Sequence, residues 1–290
     1  MTFDLSFLSH RPVLRRFAGL TMAISFLFGQ AEAQAAGAEQ KATDQNTHLH
    51  YSVFVHGYHA LNADVDYVMQ PWGYGIESHL YTAGLASWFL TLNLMSSAQG
   101  RFNGAEITPV SFSNKGFSRG EERKAHIDFD LSGPHVTVLF PPEKKREPLP
   151  ETELKQAVDM LSYLVALTHR MQVKQNCTFG KPIFDGVHLS YLDMHGPDKT
   201  SMPKDHNPFF KGEAQRCDFT GRQIGGFSIG SPFKAAQSAP HPGTVWFAHD
   251  EKAGLLPVRI EFNHYKMGLI LVVLQTAPQF STISHGNQVH

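Results

Sequence analysis

Two serines lie in the pattern Gly-x-Ser-x-Gly, which surrounds the nucleophile in some hydrolases. Ser118 is in GFSRG and Ser228 is in GFSIG. A nucleophile elbow needs a buried strand before the serine and a helix after it. A strand pattern follows Ser118, and Pro232 opposes a helix soon after Ser228. Both contexts indicate that the serine lies in a turn and is not a nucleophile. We therefore predict no catalytic residue, and the sequence favours a protein that is not an enzyme.

The chain has 17 histidines, and two pairs of them have a spacing that suggests a metal site: His48 with His50, and His56 with His59. Imidazoles two residues apart on a strand point the same way and can share a zinc ion. No cysteine or acidic residue completes a known ligand spacing beside them. We predict exposed strand and turn histidines, with no metal site and no cofactor.

Aspartates also occur in alternating pairs. Asp64 and Asp66 share one face of a predicted strand, and Asp128 and Asp130 share one face of another. Carboxylates paired across strands could serve as general acid and base. The alternative is that they hydrate the outer face of a sheet, and the sequence favours this second interpretation.

Aromatic residues are concentrated in the first third of the chain that follows the amino-terminal segment. They could line a cavity for an apolar ligand or simply fill the core, and filling the core is the default interpretation. The residues proposed for such a cavity are Tyr67, Trp72, Tyr81, Trp88 and Phe89.

The overall charge excludes one class of partner. Net charge is −1 at pH 7, and only 18% of the residues are charged. A nucleic-acid-binding protein would show a basic excess, so we expect no nucleic-acid partner. Charge also provides no reason to bind an anionic lipid surface.

The amino-terminal segment has the three parts of a secretory signal. Basic residues precede the apolar run 17–28, and Ala31-Glu32-Ala33 fits the small-x-small cleavage rule. The apolar run of 12 residues is too short to cross a bilayer, which needs about 20. We therefore expect export to the periplasm and no transmembrane anchor. The expected organisation is a signal peptide at 1–33, a disordered leader at 34–48, a single strand-rich domain at 49–276 and a flexible tail at 277–290.

Most of the remaining chain alternates apolar and polar residues with a period of two. Segments 51–55, 64–69, 126–131 and 258–263 show this pattern, and glycines lie between such runs. The pattern is typical of antiparallel strands with one buried face. Apolar segment 85–95 fits either a short helix or a buried strand.

One segment has helical spacing, and two cysteines follow it. Apolar residues recur every three or four positions from Leu154 to Met171, which predicts an amphipathic helix. Cys177 and Cys217 are the only cysteines. In an oxidising compartment two such residues usually pair, so we predict a disulfide. Free buried thiols and a redox pair are the alternatives, although redox cysteines usually lie closer in sequence.

Several segments together resemble the domain of unknown function 3108 family of exported proteobacterial envelope proteins. The likeness covers about residues 49–276. The segments that carry it are YSVFVHGYHALNADVDY, YTAGL, ERKAHIDFD, CTFGKPIFDGVHLSY, RCDFTGRQIGGF, VWFA and LPVRIEF. The resemblance implies an exported protein of antiparallel strands with one or two helices and a paired disulfide. It implies no activity.

Together these features predict a mainly β fold, a curved antiparallel sheet or open half-barrel packed on one amphipathic helix (α+β). The leading functional hypothesis is a periplasmic envelope protein that binds an apolar ligand, such as lipid or an acyl chain, within the curved sheet. The alternative is a structural or adaptor protein that contacts another envelope protein through a sheet edge or outer face.

Overall fold

Strands of alternating apolar and polar residues, joined by short turns, build most of the chain into antiparallel hairpins. The computed structural model describes residues 44–88, 91–118, 120–142 and 145–283. In that part of the chain fourteen strands form one sheet. They are β1 (Asp44–Val55), β2 (Tyr58–Gln70), β3 (Gly73–Thr82), β4 (Leu92–Asn103), β5 (Glu106–Ser118), β6 (Glu121–Asp130), β7 (Gly133–Phe140), β8 (Phe179–Phe184), β9 (Leu189–Ser201), β10 (Glu213–Gly225), β11 (His241–Asp250), β12 (Gly254–His264), β13 (Gly268–Leu274) and β14 (Gln279–Ile283).

The helical elements within the described residues are few and mostly short. They are a 3-10 helix (Gly84–Trp88), α1 (Glu151–Lys155), α2 (Met160–Lys174) and α3 (Lys234–Ser238). Of the apolar segment 85–95, the first part thus belongs to the 3-10 helix and the last part to β4, with Phe89 and Leu90 outside the described residues.

The strand order shows how the sheet closes. It runs β7-β6-β5-β4-β3-β2-β1-β13-β12-β11-β10-β9-β8, with β14 beside the first part of β1. The two edges of this path, β7 and β8, both contact α1, so the curved sheet is nearly closed and barrel-like. The prediction of a mainly β fold with a curved antiparallel sheet around an amphipathic helix is confirmed.

The predicted helix is divided into α1 and α2. Val158 leaves the helical path and forms a β-bridge with Ile183 in β8. Its N–H donates to the carbonyl oxygen of Pro182 (3.1 Å), and its carbonyl oxygen accepts from the N–H of Phe184 (2.9 Å). Asp159 then caps α2 by accepting a hydrogen bond from the N–H of Ser162 (2.8 Å). A tertiary contact with an edge strand therefore interrupts a segment whose apolar spacing is helical throughout.

The core has two parts because the sheet buries both faces around β11 and β12. On the inner face, Phe247 packs with residues of α2 in the larger cluster. On the outer face, Trp246 packs with Met202 and Phe210 from the segment that joins β9 to β10. Successive residues of a strand point to opposite faces, so neighbours in sequence contribute to different clusters.

A disulfide joins the chain after α2 to the middle of β10. Cys177 and Cys217 are bonded, are separated by 40 residues in sequence, and are both completely buried. The predicted pairing is confirmed. The bond holds the carboxyl end of the central helix against the sheet.

Both ends of the sheet differ from the boundaries expected from sequence. β1 begins at Asp44, and residues Asp44–His48 pair with β14, which lies within the segment expected to be a tail. The two segments satisfy each other's backbone hydrogen bonds, a long-range pairing that their polar composition does not reveal. The expected signal peptide at 1–33, residues 34–43 of the leader and residues 284–290 lie outside the described residues. None of the described helices is long and apolar enough to cross a membrane.

Candidate functional site

A cavity of about 620 Å³ lies between α2 and the inner face of the sheet. Tyr163, Leu164 and Leu167 line it from α2, because positions three and four apart share one face of a helix. The opposite wall comes from strands β8 to β13, with Met194 and Ile260 among its residues. The cavity is thus formed by the one long helix and by the strands that follow it in sequence.

The cavity lining changes from polar to apolar along neighbouring strands. From one end of the cavity inward, its lining includes Ser190, Leu192 and Met194 on β9, Gln223, Gly221 and Phe219 on β10, and His264, Phe262 and Ile260 on β12. In the register of β9 with β10, Ser190 lies opposite Gln223 and Leu192 lies opposite Gly221. The polar residues therefore share one end of the sheet, and the cavity has a polar rim and an apolar interior.

A carboxylate at the rim is held in a turn. The Oδ1 atom of Asp185 accepts from the N–H groups of Val187 (2.8 Å) and His188 (2.6 Å). Its Oδ2 atom lies 2.9 Å from Nδ1 of His188, which must donate because a carboxylate only accepts. Asp185 is thus engaged by its own turn between β8 and β9.

Two histidines at the rim have defined hydrogen-bonding roles. His241 Nε2 donates to the carbonyl oxygen of Ala236 (2.7 Å). His264 Nδ1 accepts from the N–H groups of Lys266 and Met267, both at 3.2 Å, so its proton lies on Nε2. Burial lowers the pKa of His264, and the neighbouring His241 and Lys266 lower it further. The neutral imidazole of His264 is therefore a hydrogen-bond donor through Nε2.

The aromatic residues proposed from sequence do not come together at this cavity. Trp72 and Trp88 are 68% and 77% exposed, in a hairpin turn and in the 3-10 helix. Tyr81 is half-buried in β3, and Phe89 lies outside the described residues. Tyr67 borders a separate cavity of about 540 Å³ along β1 to β5, and burial raises its pKa to about 12.

Sequence reasoning missed the lining of the cavity under α2. The sequence does indicate a buried face here, because the apolar residues Leu192, Met194, Ile260 and Phe262 occupy every second position of their strands. Alternation identifies a buried face but does not say which strands face a common space. The sequence therefore does not distinguish these residues from ordinary core.

The two Gly-x-Ser-x-Gly serines lie in different local structures. Ser118 is the last residue of β5 and pairs with Glu121 at the start of β6, so a strand follows it. Ser228 forms a β-bridge with Arg146, and its Oγ accepts a hydrogen bond from Arg146 Nη1 (3.2 Å). Neither serine lies in the strand-to-helix turn that a nucleophile elbow requires.

The paired histidines and aspartates form a cross-strand ladder. His50 lies opposite Asp64 with Nδ1 and Oδ1 2.6 Å apart, and His48 lies opposite Asp66 at 3.1 Å. The second aspartate pair is on β6, which β5, β4 and β3 separate from β2. The structure therefore does not bring the two carboxylate pairs together. No group of three side chains able to hold a metal ion occurs in the described residues.

Comparison with known proteins relates the chain to a family and to solved structures. No curated protein matches it. One of the solved structures is a "Beta-barrel-like Protein of Domain of Unknown Function DUF1849" from Brucella abortus. The similarity covers 82% of this chain and 98% of that one, at 13% identity and a TM-score of 0.44.

The match to a protein family covers most of the chain. The model of the family described as "Protein of unknown function (DUF3108)" matches residues 48–269. This range spans the sheet from β1 into β13, together with α2 and the disulfide. The chain belongs to the DUF3108 family of proteins of unknown function.

Proposed function

We propose that the protein binds an apolar ligand, such as a lipid or an acyl chain, in the cavity under α2. The observation that carries this proposal is the graded lining, polar at one end and apolar inside. The volume of about 620 Å³ falls within the range of about 300–1,000 Å³ in which proteins bind small molecules. Apolar surface transferred from water into such a cavity contributes about 25 cal/mol per Å².

The walls of the cavity are held in place without a ligand. α2 is capped by Asp159 at its first turn and is followed by the disulfide at Cys177. Its other faces pack on β4 and β5. A preformed cavity loses little conformational entropy when it binds, so more of the gain from burial appears as affinity.

We also propose that the protein works in the periplasm. The secretory pattern of residues 1–33 supports this location, and so does the buried disulfide, since such bonds persist in oxidising compartments. Protein purified from the periplasm of its own cells is expected to begin at Gln34. Intact mass and amino-terminal sequencing measure this, and a periplasmic form that begins at Met1 would contradict the export proposal.

A tryptophan that fills the cavity tests ligand binding. We expect delipidated protein to bind the neutral fluorescent probe N-phenyl-1-naphthylamine, and Leu164→Trp to lower its affinity at least about tenfold because the indole occupies the space. Val173→Trp is the matched control, since Val173 lies on the same helix but is 58% exposed. It should bind the probe as the wild type does.

Circular dichroism and thermal unfolding show whether both variants keep the fold. Equal loss of binding in the two folded variants, or no binding by the wild type, would remove the support for the cavity. The adaptor hypothesis would then be the better candidate, because the edge strand β7 exposes Val136, Val138 and Phe140.

A further inference from the structure

The carboxylate at the rim of the cavity already has its hydrogen-bond partners. Asp185 accepts through Oδ1 from the N–H groups of Val187 and His188, and through Oδ2 from the imidazole of His188. A cationic head group would therefore meet a carboxylate whose charge is already shared with three donors. An anionic head group would meet it as a like charge.

Two cations near this end of the sheet lie outside the cavity. Arg222 lies in β10 between two residues that line the cavity, and side chains alternate between the two faces of a strand. Its partner on β9, Tyr191, is outside the described lining as well. The ammonium of Lys266 lies 4.1 Å from the ring centroid of Phe233, and neither residue belongs to that lining. An anionic head group would thus find no guanidinium or ammonium directed into the described part of the cavity.

The polar lining offers uncharged donors and acceptors side by side. Gln223 Nε2 donates to the carbonyl oxygen of Gly225 (2.9 Å), which leaves its Oε1 as an acceptor. Ser190 lies opposite Gln223, and its hydroxyl can both donate and accept. His264 donates through Nε2, while His241 donates through Nε2 to its own turn and leaves Nδ1 of the neutral ring as an acceptor.

This mixture of partners fits hydroxyl groups. A carboxylate only accepts hydrogen bonds and an ammonium only donates them, whereas a hydroxyl does both. A head group with two hydroxyls can donate to Gln223 Oε1 and accept from His264 Nε2 at the same time. A head group without hydroxyls would leave the acceptors of the rim unpaired, which costs free energy when water is displaced from them.

We infer that the ligand is a lipid with one acyl chain and an uncharged polyol head group, such as a monoacylglycerol, with its hydroxyls at the rim and its chain in the apolar interior. This inference rests on the proposed function. The order of the lining sets the direction of the chain, since Leu192, Phe219 and Ile260 lie deeper than the polar positions. The volume of about 620 Å³ is that of a site for one small molecule.

Displacement of N-phenyl-1-naphthylamine separates the contribution of the head group from that of the chain. The competitors are 1-monodecanoylglycerol, methyl decanoate, decanoate and decyltrimethylammonium, all at neutral pH and below the concentrations at which they form micelles. We expect the acylglycerol to bind the wild type at least about tenfold more tightly than the methyl ester, as two net hydrogen bonds provide. Both charged competitors should bind more weakly than the acylglycerol.

Variants of the rim test which side chains produce this preference. In Gln223→Leu the ratio of acylglycerol to ester affinity should fall about fivefold, the effect of one net hydrogen bond. Ser190→Ala removes the neighbouring hydroxyl and should lower the ratio in the same direction. Gln99→Leu is the matched control, because Gln99 is exposed on β4 and also donates one hydrogen bond, to Ser111 Oγ (3.1 Å). It should keep the ratio of the wild type, and circular dichroism shows which variants are folded.

Each other result has a separate meaning. Equal affinity for the acylglycerol and the methyl ester, in a wild type that binds the probe, would overturn the inference and leave the proposed function standing. Tighter binding of decanoate or of decyltrimethylammonium than of the acylglycerol would overturn it too. So would an unchanged ratio in the folded rim variants, or an equal fall in Gln99→Leu. No binding of the probe to the wild type would instead remove the proposed function itself.

Discussion

Replacement of both cysteines by alanine is expected to lower the free energy of unfolding by about 4 kcal/mol. The bond between Cys177 and Cys217 closes a loop of 40 residues, and the chain-entropy model assigns about that value to a loop of this length. Without the bond the unfolded chain gains freedom, while the folded chain loses only two buried sulfurs. Such a loss is a large fraction of the stability of a typical domain.

Urea unfolding of the double variant measures this effect. The dependence of the unfolding free energy on urea should also become steeper, because an unfolded chain without a cross-link exposes more surface. The matched control is wild-type protein that has been reduced in denaturant and is kept reduced by excess reductant, which should unfold at a similar urea concentration. Since both sulfurs are completely buried, reductant without denaturant should leave the native bond intact. A loss below about 1 kcal/mol would contradict the entropic role assigned to the bond.

Asp159 should make the protein less stable as pH rises from 4 to 7. Its carboxylate is completely buried at the start of α2, and burial raises its pKa from 3.8 to about 6, although Ser162 donates to both oxygens. Between these two values the folded state holds a proton that the unfolded state has lost. Stability due to this group is therefore present at low pH and is lost as pH rises through the folded pKa. A difference of about two between the two pKa values corresponds to about 3 kcal/mol.

Asp159→Asn isolates this contribution, because asparagine retains a capping oxygen but does not titrate. Urea unfolding at pH 4, 5, 6 and 7 should show the wild type losing about 3 kcal/mol relative to the variant across the range. Other titrating groups affect both proteins equally and cancel in the difference. Parallel pH profiles for the two proteins would show that Asp159 ionises in the folded state as it does in the unfolded chain.

The sequence predicted individual elements well because their signals are local. Residues 64–69 and 258–263 alternate with a period of two and lie in β2 and β12. The helix at 154–171 was found by its spacing, but its break at Val158 was not, because the bridge to Ile183 joins residues 25 positions apart.

The residues that line the cavity under α2 show the same limit more strongly. Aromatic residues attracted attention by type, yet Trp72 and Trp88 lie on the surface, since exposure depends on where a turn or short helix falls in the fold. The cavity is instead lined by other aromatic residues, such as Phe219, and by aliphatic residues, such as Leu164 and Leu192, which no local pattern distinguishes from core.

The sequence alone determined that the chain is rich in antiparallel strands, has an amphipathic central helix and has one cysteine pair, because period, composition and cysteine number are properties of the chain itself. Only the tertiary structure decided that β1 meets β13, that β7 and β8 approach through α1, and that six strands leave a space under α2. The physical reason is that sheet closure depends on pairings between residues far apart in sequence, and its enclosed volume depends on how those strands curve around one helix.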